Sequence, residues 1–213
     1  MFKNQLYLIL VVITTCSYSQ TENFERSLDS IQSVEQANEF IEKNESIDGK
    51  VMVFNEEKHK TKFARDILNM SLGSKKFDNK NPRPTYYKII EKYNTPYVRA
   101  SAIYFDGNVK SMAEINKIRN LIINRFKKGF RFKDLAQMYS MDKTAKQGGD
   151  LGWFKKGEMP KRIEDAVFLG NHDINDIFMV NIPEQQAYYV ILVTAQQKLI
   201  EEAKVLKVTQ PKK

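Results

Sequence analysis

The stretch Gln147-Gly148-Gly149-Asp150-Leu151-Gly152-Trp153-Phe154 puts three glycines within six residues and closes on two aromatics. Glycine reaches positive φ and close backbone approach without steric cost. The run therefore predicts a tight turn, with Leu151, Trp153 and Phe154 anchoring it in a core. Upstream, Phe132-Lys133-Asp134-Leu135-Ala136-Gln137-Met138-Tyr139-Ser140-Met141-Asp142 reads as a helix running out into Tyr-Ser-x-Asp. Downstream, Lys156-Gly157-Glu158-Met159-Pro160 leads into the apolar-spaced Ile163-Glu164-Asp165-Ala166-Val167-Phe168.

Outward from this centre the chain alternates helix and strand patterns. Apolar residues from Phe24 to Ile41, spaced by three and four, predict one amphipathic helix or two short ones. Lys50–Phe54 reads as a short strand, and Glu56–Leu72 as a second helix that stops at Gly73. Lys75–Pro84 is polar, with two asparagines and two prolines, and reads as a loop. Thr85–Lys92 is a strand by its aromatic and β-branched content. Asn94-Thr95-Pro96 then breaks the pattern and marks a domain boundary. Tyr97–Phe105 is the next strand, Met112–Lys127 and Phe130–Tyr139 are helices, and Arg162–Leu169 is another. Ala187–Thr194 reads as the closing strand of the second domain, and Glu201–Val208 as a last strand that packs with Val51-Met52-Val53.

A shift of 100 residues lays Gly49 on Gly149, Phe54 on Phe154 and Phe63 on Ile163, and with two more residues Tyr86-Tyr87 on Tyr188-Tyr189. Residues 24–93 thus read either as a degenerate, truncated copy of the second domain or as a chance match of a common strand–helix–strand pattern.

The composition, 42% hydrophobic and 28% charged, is that of a folded soluble protein, and 213 residues suffice for one or two domains. Met1–Gln20 has the form of an export signal: Lys3 at the start, an apolar run from Leu6 to Ile13, and Ser17-Tyr18-Ser19 before the cleavage point. The apolar run is shorter than the ~20 residues that span a bilayer. Cys16 is the chain's one cysteine; lipidation there is the lesser alternative, because Thr15 replaces the small residue such sites show. Cleavage after Ser19 leaves no cysteine, hence no disulfide in an oxidising compartment. Formal charge falls only from +8 to +7 without residues 1–19, whose single charged residue is Lys3. A periplasmic location argues against nucleic acid as the reason for this charge. It leaves a solvated basic surface, acidic clients or peripheral contact with an anionic membrane.

The ordered string around Gly148-Gly149 resembles the parvulin-type (rotamase, PpiC-like) peptidyl-prolyl cis-trans isomerases in their exported bacterial form. The likeness lies in the helix ending Tyr-Ser-x-Asp, the turn Gly-Gly-Asp-Leu-Gly-Trp-Phe, and Gly-Glu-Met, in that order. It implies an α+β fold: a parvulin-like domain at 96–197, with a small antiparallel sheet flanked by helices. Before it stands a smaller α/β domain at 20–95, and after it a strand and tail at 198–213. The implied activity is isomerisation of X-Pro bonds in unfolded or proline-containing exported polypeptides, with no metal and no cofactor. Outer-membrane or secretion complexes are the implied assembly partners.

By the same resemblance Met159, Ile163 and Phe168 hold the proline ring, Ile163 standing where the family usually has phenylalanine. Asp142 faces the amide, a role compatible with capping the turn after Ser140. The family's two histidines are replaced by Ala102, in Ala102-Ile103-Tyr104, and by Tyr189, in Tyr188-Tyr189-Val190. A histidine-to-alanine change frees volume that histidine-to-tyrosine fills, so Tyr189 is expected to cover Ala102 and to hydrogen-bond Asp142. The actual histidines, His59 and His172, are expected on the surface. Asp106-Gly107-Asn108-Val109 lacks the basic cluster of phosphate-directed members. With both histidines gone, a catalytically weak parvulin-like chaperone or binding subunit is the alternative, and a purely structural export protein the third reading.

Overall fold

The computed structural model describes residues 24–79 and 83–209. The expected export signal, Cys16 and the end of the tail lie outside them. The chain divides into two units: residues up to Tyr93 with those from Glu201 onward, and Asn94–Ile200.

In the first unit, helices α1 (24–29) and α2 (Val34–Lys43) precede strand β1 (Asp48–Asn55), helix α3 (Lys62–Leu68) and strand β2 (Lys75–Asp78). The start of β3 (Thr85–Asp106) and the end of β6 (Ala187–Thr209) complete it. The order is β1-β6-β3-β2. β1 runs antiparallel to β6, with Val51 opposite Leu206 and Met52 opposite Val205, so the expected packing of these two segments is direct strand pairing. Alternation along the strands gives each face its own core. Tyr86, Ile90, Leu206 and Val208 meet Leu28 of α1, Ile31 of the turn that follows and Ala37 of α2. Phe54, Ile89, Ala203 and Val205 meet Ala64, Ile67 and Leu68 of α3. The buried Lys88 ammonium donates to the Leu28 and Asp29 carbonyls (2.5 and 3.0 Å) at the end of α1, where carbonyls lack helical partners. Burial lowers its pKa.

In the second unit the order is β4-β3-β6-β5, with β4 (Asp150–Phe154) on β3 and β5 (Ile177–Ile182) on β6. Helices α4 (Met112–Lys127) and α5 (Phe132–Tyr139) join β3 to β4, and α6 (Lys161–Leu169) joins β4 to β5. α4 begins with a complete capping box: the Ser111 side chain accepts from Glu114 N–H while Glu114 reaches back to Ser111 N–H. One face of the sheet buries Ile103, Phe105, Tyr188, Val190 and Leu192 against Ile115, Ile122 and Leu135. The other packs Val98, Ala100, Ala102 and Ile191 against Phe154, Ile163 and Val167. This is the α+β architecture expected. No helix among the described residues is long and apolar enough to cross a membrane.

The structure corrects several boundaries. The helix expected over Glu56–Leu72 is only Lys62–Leu68. The Asn55 side chain accepts from Glu57 and Lys58 N–H (2.9 and 3.0 Å) to turn the chain, and Thr61 caps the helix start. Lys75–Asp78, expected in a loop, pairs with Thr85–Lys88; its polarity reflects an edge strand. Asn94-Thr95-Pro96 does not end a strand, and β3 runs through it. Proline drives the preceding residue toward extended backbone, and both Asn94 and Pro96 are exposed. The two strands expected at Ala187–Thr194 and Glu201–Val208 are likewise one. Strand β5 is additional to the strands expected, and the glycine-rich run is itself β4 together with the turn that enters it.

Candidate functional site

The site is hung on β3. Ser140 Oγ accepts from Tyr104 N–H (3.1 Å) and from Asp142 N–H (3.4 Å), and Met141 N–H donates to the Tyr104 carbonyl (2.9 Å). The Tyr-Ser-x-Asp segment is thereby fixed beside Tyr104. Asp142 is exposed and caps the single turn Lys143–Gln147, accepting from Thr144 N–H at 3.2 Å. Gly148, at φ +77°, ends that turn. Gly149, also at +77°, then accepts the Ala102 N–H at 2.8 Å. Asp150 closes the next step by accepting Gly152 N–H (2.9 Å) and the Arg99 guanidinium (2.7 Å). Burial opposes its charge, but these bonds and the Arg99 charge outweigh it and hold the carboxyl below its ordinary value.

Of the six residues singled out, five share one apolar cluster. Ala102 and Ile163 are buried in it, and Met159, Phe168 and Tyr189 are half-buried against it. The Tyr189 ring packs on Tyr104 with centroids 5.3 Å apart. Phe168 lies apart from the others: it meets Phe154 edge-on at 6.1 Å and lines a cavity with Val98, Val193 and Ala195. Val98 stands about 13 Å from Ala102 along an extended strand. Phe168 therefore belongs to the Val98 end, and Leu151 and Tyr104 are the half-buried apolar neighbours at the Ala102 end.

One expected contact is absent. Among the described residues the Tyr189 hydroxyl makes no hydrogen bond to Asp142, whose carboxylate is taken up by Thr144. Burial raises the Tyr189 hydroxyl above its ordinary value, and the neighbouring Tyr104 and Asp142 add to the rise. Tyr104 is raised the same way, by burial and then by Asp106 and Asp142. The cluster thus presents two hydroxyls that stay protonated at neutral pH. Trp153 also departs from expectation, being half-buried with the Lys198 ammonium 4.6 Å from its ring centroid. Neither histidine is bare surface: His59 Nδ1 accepts Asn55 N–H (2.9 Å), and His172 stacks on Phe178 at 4.0 Å.

Glu164 is the residue that sequence reasoning missed. It is buried on the first turn of α6, and its Oε1 accepts Gly157 N–H (2.6 Å) and Met159 N–H (2.9 Å). The loop carrying Met159 is clamped by that one carboxylate. Its sequence context, an acid early in a helix, does not set it apart from other helical acids. Ser140 was legible only as part of its motif.

A sheet with α4 and α5 on one face and α6 on the other, a Gly-Gly turn bonded to β3 and a clamped Met159 define a known class. The chain belongs to the PPIC-type PPIASE domain family, whose model matches residues 85–197. Foldase protein PrsA of Bacillus subtilis is 34% identical over 109 residues, 50% of this chain and 33% of that protein. Chaperone SurA of Vibrio cholerae is 39% identical over 66 residues, 31% of this chain and 15% of that protein. The crystal structure of PrsA from Bacillus subtilis aligns with 31% identity and a TM-score of 0.39, over 48% of this chain and 36% of that one. One structure of a SurA-like chaperone from Campylobacter jejuni aligns over 95% of this chain and 61% of that one, with 19% identity and a TM-score of 0.42. The chain spans about a third of the length of the PrsA foldase it matches.

Proposed function

We propose that the protein is an exported peptidyl-prolyl cis-trans isomerase that assists folding of secreted or outer-membrane polypeptides in the periplasm, with residues 96–197 as its catalytic domain. The observation that carries this reading is the clamped, half-exposed Met159 in one cluster with Ala102, Ile163, Tyr104 and Tyr189, beside the Asp142 carboxylate.

The chemistry makes and breaks no bond between heavy atoms. Rotation about X-Pro crosses a barrier of ~20 kcal/mol set by amide resonance, and the twisted amide is less polar than either planar isomer. A surface that takes the proline ring and removes water binds the twisted state preferentially, and that preference is the acceleration. Met159 over Ile163 receives the ring. The Tyr104 and Tyr189 hydroxyls, neutral across the physiological range, replace imidazoles as donors to the rotating amide. Asp142 sets the potential beside them. The relatives' names, a foldase and a chaperone, agree with an unfolded polypeptide as substrate.

The test pairs catalysed isomerisation of a short X-Pro peptide with suppression of aggregation of an unfolded protein. Rate enhancement that Met159→Ala removes supports the enzyme. Suppression without any rate enhancement replaces it by a binding module.

A further inference from the structure

The sheet of the second unit has a back, and the proposed activity does not use it. Along a strand, alternate residues share a face. Arg99 and Ser101 of β3 therefore lie on the side of Ile103, and Thr194 of β6 on the side of Leu192, both opposite to the Met159 cluster. α4 and α5 pack over Ile103 and Leu192. At Phe132, the first residue of α5, a cavity of ≈ 500 Å³ opens, lined by Arg99, Ser101, Phe132, Lys133, Gly148 and Thr194.

Its walls are set by two local features. β4 carries one residue more than β3 here, since Arg99 faces Trp153 while Ser101 faces Asp150. Such a bulge bends a strand and re-aims its side chains, and the Asp150 carboxylate meets the Arg99 guanidinium at 2.7 Å on the cavity wall. On the other side the Gly148 turn lies directly against α5. A Cβ added to Gly148 would collide with the Lys133 Cβ and Cγ, so the Lys133 stem runs along the rim.

Two independent observations point to a ligand. The first is hydrogen bonding. The Thr194 hydroxyl is buried without a hydrogen-bond partner among the described residues. Ser101 is only 7% exposed, and its side chain makes no hydrogen bond among them either. Buried hydroxyls are bonded in the large majority of cases, so two orphans on one cavity are an exception with a common cause. The second is charge. Asp150 stays ionised, because Arg99 and Gly152 N–H hold its carboxyl below the ordinary value against the cost of burial. Arg99 and Lys133 set against Asp150 then leave one positive charge in excess on the lining. No side chain caps the start of α5, and the positive end of its dipole adds to that potential.

We infer that this cavity is a binding site for a carboxylate, held by Lys133, the Ser101 hydroxyl and the start of α5. A single excess charge matches a monoanion. A phosphate dianion would bring a second, uncompensated charge up to Asp150. The volume lies within the ~300–1,000 Å³ of small-molecule sites, so the group carrying the carboxylate enters with it. That group is either a free organic acid or an acidic side chain of a bound polypeptide, and the chemistry of recognition is the same. The site is separate from the Met159–Tyr189 surface and stands whether or not that surface isomerises X-Pro bonds.

The experiment titrates the isotope-labelled full chain, at fixed ionic strength, with sodium acetate, sodium phosphate and the capped tripeptides Ala-Asp-Ala and Ala-Asn-Ala. Amide shifts are read by NMR and unfolding midpoints by calorimetry. Acetate should move the Ser101, Lys133 and Gly148 amides to saturation and raise the midpoint above that in chloride. Lys133→Gln and Ser101→Ala should each weaken binding about fivefold, the scale of one lost hydrogen bond. Lys133 is exposed, so its variant carries the test if Ser101→Ala fails to fold. Tighter binding of the Asp peptide than of acetate, with none of the Asn peptide, upholds the site and assigns it to polypeptide. Binding of acetate as tight as that of the Asp peptide, or tighter, upholds it as a site for a free acid. Shifts that never saturate, or that Lys133→Gln leaves unchanged, overturn the site. Phosphate binding more tightly than acetate overturns its assignment to a carboxylate.

Discussion

Ala102 and Gly149 are joined backbone to backbone: the Ala102 N–H donates to the Gly149 carbonyl at 2.8 Å, and a Cβ built on Gly149 would lie 2.2 Å from the Ala102 carbonyl oxygen. The glycine is required twice, by its φ of +77° and by that contact. Gly149→Ala should cost about 3 kcal/mol, combining left-handed strain with overpacking against backbone. Gly152→Ala, at φ +68° with nothing within 4 Å of the added carbon, should cost only about 1 kcal/mol. Urea denaturation of the two variants checks the order; equal midpoints would contradict it.

Glu164 acts through Met159. Removing its carboxylate in Glu164→Ala leaves the Gly157 and Met159 N–H groups without their acceptor, a loss of about 2 kcal/mol. Because the Met159 loop loosens, KM for a proline peptide should rise more than kcat falls. Glu164→Gln retains an acceptor oxygen and should restore most of both. Rescue by glutamine separates the hydrogen bonds from the charge, and steady-state kinetics with thermal unfolding measure it.

Tyr189 gives a prediction in pH. Its hydroxyl and that of Tyr104 are raised by burial, so both remain donors from about pH 6 to 9. The activity profile over that range should be flat, without the inflection near 6.5 that a catalytic histidine gives. Tyr189→Phe should lower kcat/KM by about 10²-fold, the scale of one lost donor. Its stability should change by less than about 0.5 kcal/mol, since no hydrogen bond to Asp142 is lost. A folded-state pKa above the unfolded one gives stability that is complete below about pH 10. It is lost as pH rises through the folded value, so alkaline unfolding should begin above about pH 10.

The last strand closes the first unit. Residues 201–209 bury Ala203, Val205, Leu206 and Val208 and pair with β1 along Asp48–Asn55. Truncation after Ile200 should abolish amide-exchange protection in β1 and in residues 85–93. Retained protection there would mean that the strand is dispensable.

Local chemistry made much of this fold readable. The spacing of Met112, Ile115, Ile118 and Ile122 marks α4, and the Gly-Gly-Asp-Leu-Gly run marks its turn because only glycine fits beside Ala102. Illegible parts depended on distant partners. Lys75–Asp78 is a strand only because Thr85–Lys88 lies alongside, and β3 ignores the Pro96 signal because strands on either side hold it extended. In the site, Met159, Ile163 and Asp142 were indicated by the resemblance that the Tyr-Ser-x-Asp and Gly-Glu-Met motifs carry. Phe168 was displaced by the direction α6 takes past Val98, and Asp142 was drawn to Thr144 N–H instead of Tyr189. Glu164 was hidden because a buried acid serving two backbone N–H groups looks, in sequence, like any acid on a helix.

The central claim is that the Met159–Tyr189 surface turns over X-Pro bonds without a histidine. Exchange spectroscopy by NMR on a tetrapeptide containing one X-Pro bond measures this without a coupling protease. Cis–trans exchange accelerated by catalytic amounts of the wild-type chain, lost in Met159→Ala and strongly reduced in Tyr189→Phe, is the predicted result. Exchange at the uncatalysed rate in the presence of folded wild-type protein would contradict it.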